Sequence, residues 1–319
     1  MKSVVLGKTD IQLSSIVMGT WQAGKSMWTG IDDGQIQSAV HAALDAGITT
    51  FDTAEAYGTG HSEQVLGKAI GSRRNQVEVL SKVFANHLAY DQVIAACERS
   101  LKNLGTDYLD LYQIHWPSGS FGSKPVPLEE TMRALMDLKE KGRIRAIGVS
   151  NFSLDQLKSA SRIGPVESLQ PPYSLFWRHV ESGTAAWCRQ HQVTLLAYSP
   201  MAQGLLTGKF GPDHRFAKGD HRSGNRLFDP TVTPQAQKAL EALRPIADRK
   251  GISMAQLALA WVIAKPGVCA IAGVRNAEQA SDNAGAGDIV LSEAELDQMD
   301  HISRPVVELI DDDPVLWRW

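Results

Sequence analysis

Cysteine is scarce in this 319-residue chain, and its three cysteines lie far apart. Cys97, Cys188 and Cys269 would leave one thiol unpaired in any disulfide scheme, and none belongs to a CxxC or Cys/His cluster. Disulfides persist in oxidising compartments, and structural zinc needs clustered cysteine and histidine ligands. We therefore expect a reducing, cytoplasmic location and no metal site.

Long apolar runs and an excess of one charge are also missing. Lys2, Lys8 and Asp10 interrupt the N-terminus, and the apolar stretch 255–264 is too short to span a bilayer, so we expect neither an export signal nor a membrane segment. Lysine and arginine number 32 against 35 aspartates and glutamates, for a net charge of −3 and no basic block. This balance does not favour phosphate backbones, and no nucleic-acid partner is expected.

Short β-rich runs alternate with amphipathic stretches along the chain, after an N-terminal β-hairpin predicted from 4–6 and 11–13. The alternation predicts eight strands, at 16–18, 49–52, 77–81, 109–115, 144–149, 168–170, 194–198 and 268–271. It predicts helices at 33–46, 62–70, 91–104, 128–141, 154–161, 183–191, 235–250 and 253–264. Length alone allows two domains or one α/β barrel. Because no linker interrupts the pattern, we expect a single (β/α)8 TIM barrel domain over residues 1–319, with extra loops at its C-terminal face.

Two segments depart from this pattern. Region 206–234 is rich in Gly, Asp, Arg and Pro, and a loop of this length is usually functional or disordered, so we expect it to cover a ligand. The tail 303–319 contains Trp317, Trp319 and the acidic run 311–313. It either caps the mouth of the barrel or follows its surface.

Four polar side chains follow three consecutive predicted strands, and strand ends of such a barrel converge on one site. Tyr57 is the candidate proton donor, with Lys82 lowering the pKa of its hydroxyl, Asp52 holding Lys82 charged and His115 hydrogen-bonding the substrate oxygen. Each residue taken alone has another explanation: a helix N-cap for Asp52, a solvated cation for Lys82, packing for Tyr57 and a core position for His115. Their joint placement favours a catalytic site.

The motifs that carry these residues continue along the chain. They read FDTAEAYG at 51–58, HSE at 61–63, LG at 66–67, SK at 81–82, YLDLYQIHWP at 108–117, GRIRAIGVSNF at 142–152, QPPY at 170–173, AYSP at 197–200, GLLTGK at 204–209 and GVRN at 273–276, followed by Gln279 and Asn283. In this order, over nearly the whole chain, they resemble the aldo-keto reductase family. The pattern is most similar to its bacterial branch related to potassium-channel β subunits.

The resemblance implies carbonyl reduction with an extended nicotinamide cofactor and no Rossmann domain. The stretch 58–60 agrees, because its two glycines lack the third that a dinucleotide fingerprint requires. The resemblance also identifies Asp52, Tyr57, Lys82 and His115 as the family's catalytic tetrad.

The resemblance further implies three groups of cofactor-binding residues. Those at the nicotinamide are the amide-binding Ser150, Asn151 and Gln170 and the stacking Tyr198; those at the pyrophosphate are Ser199, Gly204, Leu205 and Lys209; those at the adenosine are Gly273, Arg275, Gln279 and Asn283. Gly19, Thr20 and Trp21 are also expected to bind the cofactor. The loop that contains Ser199, Gly204, Leu205 and Lys209 could instead be a flexible turn without a ligand. Because a guanidinium suits a 2′-phosphate, Arg275 favours NADPH over NADH. Where this chain has Gly273-Val274 and Gln279, better-known family members carry Lys-Ser and Arg. The resemblance therefore implies a nicotinamide cofactor more firmly than it implies a preference for NADPH over NADH.

The predicted rim of the site is aromatic. It comprises Trp21, Trp28, Phe84, Trp116, segment 121–127 and Trp177, which favours a small carbonyl substrate such as an aldehyde, a dicarbonyl or a quinone. The alternatives are a nicotinamide-binding, redox-sensing regulatory protein with slow turnover and, more remotely, an aldolase that forms a Schiff base on Lys82. The sequence selects no oligomeric state.

Overall fold

Eight parallel strands form a closed barrel in the computed structural model, which describes residues 1–315. The barrel strands are β3 (Ile16–Gly19), β4 (Thr50–Asp52), β5 (Glu78–Val83), β6 (Leu109–Ile114), β7 (Ile144–Ser150), β8 (Ser168–Gln170), β9 (Thr194–Tyr198) and β10 (Val268–Gly273), preceded by the antiparallel pair β1 (Ser3–Val5) and β2 (Gln12–Ser14). Neighbours pair in chain order, and β10 closes the ring against β3. The predicted TIM barrel and N-terminal hairpin are confirmed.

Helices surround the barrel. They are α1 (Asp33–Asp45), α2 (His61–Ile70), α3 (Tyr90–Leu104), α4 (Leu128–Glu140), α5 (Leu154–Ile163), α6 (Thr184–His191), α7 (Thr233–Lys250), α8 (Met254–Ile263), α9 (Ala277–Gly285) and α10 (Glu293–Val307). Ser153, Ser253 and Ser292 begin three of them with capping boxes, in which the serine hydroxyl accepts from a backbone N–H one turn on. These local signals explain why the helix starts follow from sequence.

The hairpin closes one end of the barrel. Leu6, Ile11 and Leu13 are almost fully buried and pack with barrel-interior residues such as Leu80 and Leu111. Because this apolar plug fills the N-terminal end, only the C-terminal end is left for a site, as in other barrels of this architecture.

Two predicted boundaries need correction. Helix α7 begins at Thr233, two residues earlier than expected, with Pro234 in its first turn, where the missing N–H costs nothing. The expected tail from Ser303 overlaps α10, which continues through Pro305 to Val307. In a sequence, a proline usually indicates that a helix has ended. Here Pro305 lies in the last turn of α10, so the helix continues past it for two residues. Trp317 and Trp319 lie outside the described residues.

Within residues 1–315, no helix is both long and apolar enough to cross a membrane.

Candidate active site

A cavity of about 690 Å³ opens at the C-terminal ends of the strands. Of the predicted site residues, those lining it are Gly19, Trp21, Asp52, Tyr57, His115, Ser150, Asn151, Gln170, Tyr198, Ser199, Gly204, Lys209, Gly273, Arg275, Gln279 and Asn283. The side chains of Thr20, Lys82 and Leu205 are buried and do not line it. Residues at the ends of β3, β4, β6, β7 and β8 thus meet those from the segments after β9 and β10.

Lys82 is fully buried at the end of β5 and has three hydrogen-bond partners. Its Nζ donates to Asp52 Oδ1 at 2.6 Å, to the carbonyl oxygen of Thr53 at 2.7 Å and to the Tyr57 hydroxyl at 3.4 Å. An ammonium has three protons, so two short bonds direct the third toward the phenol. The geometry therefore joins Asp52, Lys82 and Tyr57 in one chain of contacts.

The protonation of this group differs from the sequence expectation in one respect. Burial and the carboxylate of Asp52 raise the pKa of Tyr57 well above its ordinary value. Burial lowers the pKa of Lys82, while Asp52 opposes that shift. The lowering of the Tyr57 pKa expected from Lys82 is outweighed, because the phenol is buried and the carboxylate of Asp52 offsets the lysine charge. Tyr57 is accordingly a neutral phenol at pH 7, with its proton in place.

His115 faces Tyr57 at the mouth of the barrel. The two ring centroids are 5.6 Å apart and nearly perpendicular, and Phe84 approaches the imidazole in the same manner from another side. Burial, followed by the charge of Lys82, lowers the pKa of His115 well below its ordinary value. A neutral imidazole results, and its Nδ1 has no hydrogen-bond partner among the described residues.

The residues expected at the nicotinamide form one hydrogen-bonded group. Tyr198 donates its hydroxyl to Asn151 Oδ1 at 2.8 Å, and Asn151 Nδ2 donates to Ser150 Oγ at 3.1 Å. Gln170 Nε2 donates to Asp52 Oδ2 at 3.0 Å. Because Ser150 Oγ donates to the backbone carbonyl of Gln170 at 2.8 Å, the Gln170–Asp52 contact links the group to the Asp52–Lys82 pair. That contact does not use the side-chain oxygen of Gln170.

The turn after β9 has an unusual backbone. Ser199, Ala202 and Gln203, none of them glycine, have φ of 53°, 49° and 56°, and Gly204 follows at 94°. Left-handed backbone at non-glycine residues is uncommon, clusters at functional sites, and can aim successive N–H groups at an anion. This backbone conformation is compatible with the predicted pyrophosphate position.

The far end of the cavity contains a cation with no acidic partner within ion-pair distance in the described part of the chain. Arg275 donates its backbone N–H to Gln279 Oε1 at 2.9 Å, while one guanidinium nitrogen is buried without a hydrogen-bond partner. Asn283 Nδ2 is likewise buried and unpartnered among residues 1–315. Unsatisfied buried donors are costly. Their presence at a cavity wall therefore indicates a binding site for an anionic group.

Sequence reasoning missed Arg222, which also lines the cavity. Its guanidinium forms an ion pair with Asp220 at 2.6 Å. The guanidinium groups of Arg222 and Arg275 each lie 5.2 Å from the centroid of the Trp28 ring. Burial, followed by the charge of Arg222, lowers the pKa of Arg275. Only its position in the long region 206–234, already expected to cover a ligand, could have pointed to it.

Aromatic rings line the remaining wall. Trp21 and Trp28 meet edge to face at 5.3 Å, and Phe121 stacks on Phe84 at 5.7 Å and meets the edge of Trp116 at 4.9 Å. These positions confirm an aromatic rim, although only Phe121 of the predicted segment 121–127 lines the cavity.

Trp177 was placed on this rim, and that placement is wrong. It is buried away from the cavity, where Arg226 lies over its ring.

The described part of the C-terminal segment approaches the site. Ile310 accepts through its carbonyl from His179 at 2.8 Å, Arg226 pairs with Asp311, and Arg226 also donates to the carbonyl of Asp313 at 2.6 Å. The carbonyl of Pro314 then lies 3.4 Å from the Tyr198 hydroxyl. The tail was expected either to cap the mouth of the barrel or to follow its surface, and its described part reaches the mouth.

Known proteins resemble this chain over almost its full length. Among curated relatives, it is 37% identical to the aldo-keto reductase YhdN of Bacillus subtilis over 84% of this chain and 82% of that protein. It is 32% identical to an NADH-specific methylglyoxal reductase of Escherichia coli (92% and 96% covered) and 30% identical to a probable voltage-gated potassium channel β subunit of Arabidopsis thaliana (93% and 95%).

Solved structures give the same result. The glycerol dehydrogenase AKR11B4 of Gluconobacter oxydans superposes with a TM-score of 0.87 at 33% identity, over 97% of both chains. An aldo-keto reductase of Klebsiella pneumoniae in complex with NADPH superposes with a TM-score of 0.77 at 32% identity, over 100% of this chain and 99% of that one. The model of the aldo/keto reductase family matches residues 15–304, and the chain therefore belongs to that family.

Proposed function

We propose that this protein is an NADPH-dependent oxidoreductase that reduces aldehydes or ketones to alcohols. The observation that carries the proposal is the contact of buried Lys82, paired with Asp52, with the hydroxyl of Tyr57 at the wall of the 690 Å³ cavity. When bound, NADPH supplies a hydride to the carbonyl carbon. Tyr57 supplies the proton to the carbonyl oxygen, so that hydride and proton together make the alcohol.

Each tetrad residue has a stated role in this scheme. The raised pKa of Tyr57 keeps its proton in place at neutral pH, and Lys82 can stabilise the phenolate as it forms. Asp52 holds Lys82 charged against the desolvation of the site. His115, being neutral, can donate to the substrate oxygen without competing for the proton.

The cofactor part rests on donors that the chain leaves unsatisfied. We assign the nicotinamide to Gly19, Trp21, Ser150, Asn151, Gln170 and Tyr198, the pyrophosphate to the turn containing Ser199 and Gly204 with Lys209, and the adenosine to Gly273, Arg275, Gln279 and Asn283. The unpartnered guanidinium nitrogen of Arg275 supports a 2′-phosphate and thus NADPH. Because a relative is named NADH-specific, the two cofactors must be compared directly.

The substrate half of the cavity favours uncharged carbonyl compounds. Phe84, Trp116 and Phe121 form its wall with His115, and the arginines Arg222 and Arg275 lie on the cofactor side. An aromatic wall gains little from a carboxylate or phosphate on the substrate. Short aldehydes, dicarbonyls, aromatic aldehydes and quinones are therefore the compounds to test.

The test is oxidation of NADPH and NADH, in parallel, against that panel. We expect turnover with NADPH preferred, and we expect Tyr57→Phe to lower kcat by about 100-fold or more, because general acid catalysis contributes roughly 10²- to 10⁴-fold. Tyr108→Phe, at the opposite end of the barrel beneath Arg74, is the matched control and should retain activity. Tight NADPH binding without turnover would favour the redox-sensing alternative instead.

Two further expectations belong to the same proposal. We propose that the chain works as one barrel unit, and that it does so in a reducing, cytoplasmic compartment. The latter is supported by Cys97, Cys188 and Cys269, which are free and buried, with the pKa of each thiol raised by burial to about 12.

A further inference from the structure

Three buried hydroxyl groups lie behind the tetrad, outside the cavity. Ser62 Oγ, in the first turn of α2, is 2.8 Å from Thr20 Oγ1 and 2.9 Å from Thr53 Oγ1, and it donates to the Thr20 carbonyl at 2.8 Å. Thr20 Oγ1 in turn donates to the carbonyl of Asp52 at 3.0 Å. All three residues are at most 1% exposed. This hydroxyl cluster therefore connects α2 to the ends of β3 and β4.

The cluster touches Lys82 through one atom. The Thr53 carbonyl accepts from Lys82 Nζ at 2.7 Å, and the side chain of Thr53 is held by Ser62 at its back. Lys82 is positioned by this carbonyl and by Asp52, and its bond to Tyr57 is the long one of the three. A side-chain contact much beyond 3.5 Å is no longer a hydrogen bond. A shift of a few tenths of an ångström at Thr53 is therefore enough to separate Lys82 from Tyr57.

Ser62 also contacts the segment that carries the proton donor. Its backbone N–H, in the first turn of α2, donates to the carbonyl of Tyr57 at 3.2 Å. One residue thus contacts both sides of the Lys82–Tyr57 pair, the lysine side through Thr53 and the tyrosine side through its own backbone. Chain proximity explains the second contact but not the first, which depends on the hydroxyl.

We infer that Ser62 is a positioning residue for proton transfer, acting through Thr53 and Lys82 on Tyr57. The inference rests on the proposed reductase function. The hydroxyl of Ser62 touches neither substrate nor cofactor, and it determines how closely the lysine ammonium approaches the phenol. Its loss should slow the step in which Tyr57 gives up its proton, while the cavity that holds NADPH keeps its shape.

The experiment compares substitutions that remove or keep the Ser62–Thr53 hydrogen bond. Ser62→Ala and Thr53→Val remove it, and Thr53→Ser keeps the hydroxyl. Ser14→Ala is the matched control, because Ser14 is a buried serine with a hydroxyl that donates to Ile16 at 2.7 Å and accepts from the Thr50 N–H at 3.2 Å at the other end of the barrel. Each variant is assayed for kcat, KM, NADPH affinity and thermal unfolding, with NADPH and the best aldehyde of the panel.

We expect Ser62→Ala to lower kcat by about 10- to 100-fold, the usual cost of a small misplacement of reacting groups, with NADPH affinity and KM unchanged. Thr53→Ser should stay close to wild type. The double variant Ser62→Ala/Thr53→Val should lose no more than Ser62→Ala alone, since both changes remove the same bond.

Three results would overturn the inference. They are a normal kcat for Ser62→Ala, a loss in KM or NADPH affinity in place of kcat, or fully additive losses in the double variant. An equal kcat loss in Ser14→Ala would show that reduced stability alone is responsible. A wild-type protein that binds NADPH but reduces nothing would refute the proposed function, a result distinguishable from all of these.

Discussion

The arginine at the far end of the cavity offers an unusually clear test, because its removal should weaken one ligand and spare the fold. Arg275 is half-buried, one of its guanidinium nitrogens has no partner, and no carboxylate lies within ion-pair distance of it among residues 1–315. Burial and the neighbouring Arg222 lower its pKa, so the free protein holds this charge at a cost. Arg275→Met keeps much of the apolar stem and removes the charge.

The size of the effect follows from the bonds that the guanidinium can form. A hydrogen bond to a charged group contributes about 1.5–3 kcal/mol, which corresponds to an increase of roughly 10- to 150-fold in Kd. NADPH should weaken by this factor. NADH has no 2′-phosphate, so its Kd should hardly change. Since the lost charge has, among the described residues, no carboxylate within ion-pair distance and only the Trp28 ring beside it at 5.2 Å, the melting temperature should change little.

Calorimetric titration with NADPH and NADH at one fixed ionic strength measures both constants. Salt must be held constant because charge interactions are screened by it. Arg189→Met, at the exposed end of α6, removes the same formal charge away from the cavity and should leave both constants unchanged.

Equal weakening of NADPH and NADH would refute the reasoning, since it would place Arg275 at a part common to both cofactors. Unchanged NADPH affinity would refute it as well. A large fall in the melting temperature would show that Arg275 has a structural partner in solution.

Three further perturbations probe other parts of the molecule. Asp110→Asn should lower the free energy of unfolding, measured by denaturant titration, by about 1.5–3 kcal/mol, because the buried carboxylate accepts hydrogen bonds from Arg74, Arg145 and a backbone N–H. The value of kcat should not change, because Asp110 lies at the end of the barrel opposite the cavity. Phe121→Ala should lower kcat/KM for aromatic aldehydes more than for methylglyoxal, and equal losses would contradict its place in the substrate wall. Burial lowers the pKa of His115, so below about pH 6.5 the unfolded chain takes up a proton at this residue that the folded chain does not. As the pH is lowered further, the free energy of unfolding should therefore decrease by up to about 1.4 kcal/mol per pH unit, and this slope should be smaller in His115→Gln.

Much of the fold was accessible from local pattern. The eight strands occur where short apolar runs are bounded by turns, and serine caps such as Ser153 and Ser253 begin helices that the 3.6-residue period predicts. Asp52, Tyr57 and His115 were assigned to one cavity because strand ends converge in any closed barrel. The final helix, α10, was the main element not predicted, although Ser292 and Glu295 form a visible capping box.

The electrostatic behaviour of the site was not accessible in this way. Lys82 was expected to lower the pKa of Tyr57, but the sign of the net shift depends on how deeply the phenol is buried and on how completely Asp52 offsets the lysine. Burial and short distances between groups on different strands are properties of the closed barrel. No local pattern reports them.

The sequence by itself determined the barrel and the family, and it supplied the four candidate tetrad residues, because each depends on residue type and order along the chain. The tertiary structure alone decided the contact of Gln170 with Asp52, the hydroxyl cluster around Ser62 and the approach of Arg222 to the Trp28 ring. These contacts join residues on different elements, and Gln170 lies 118 positions from its partner. They form only when the ring of strands closes and the long region after β9 folds over it.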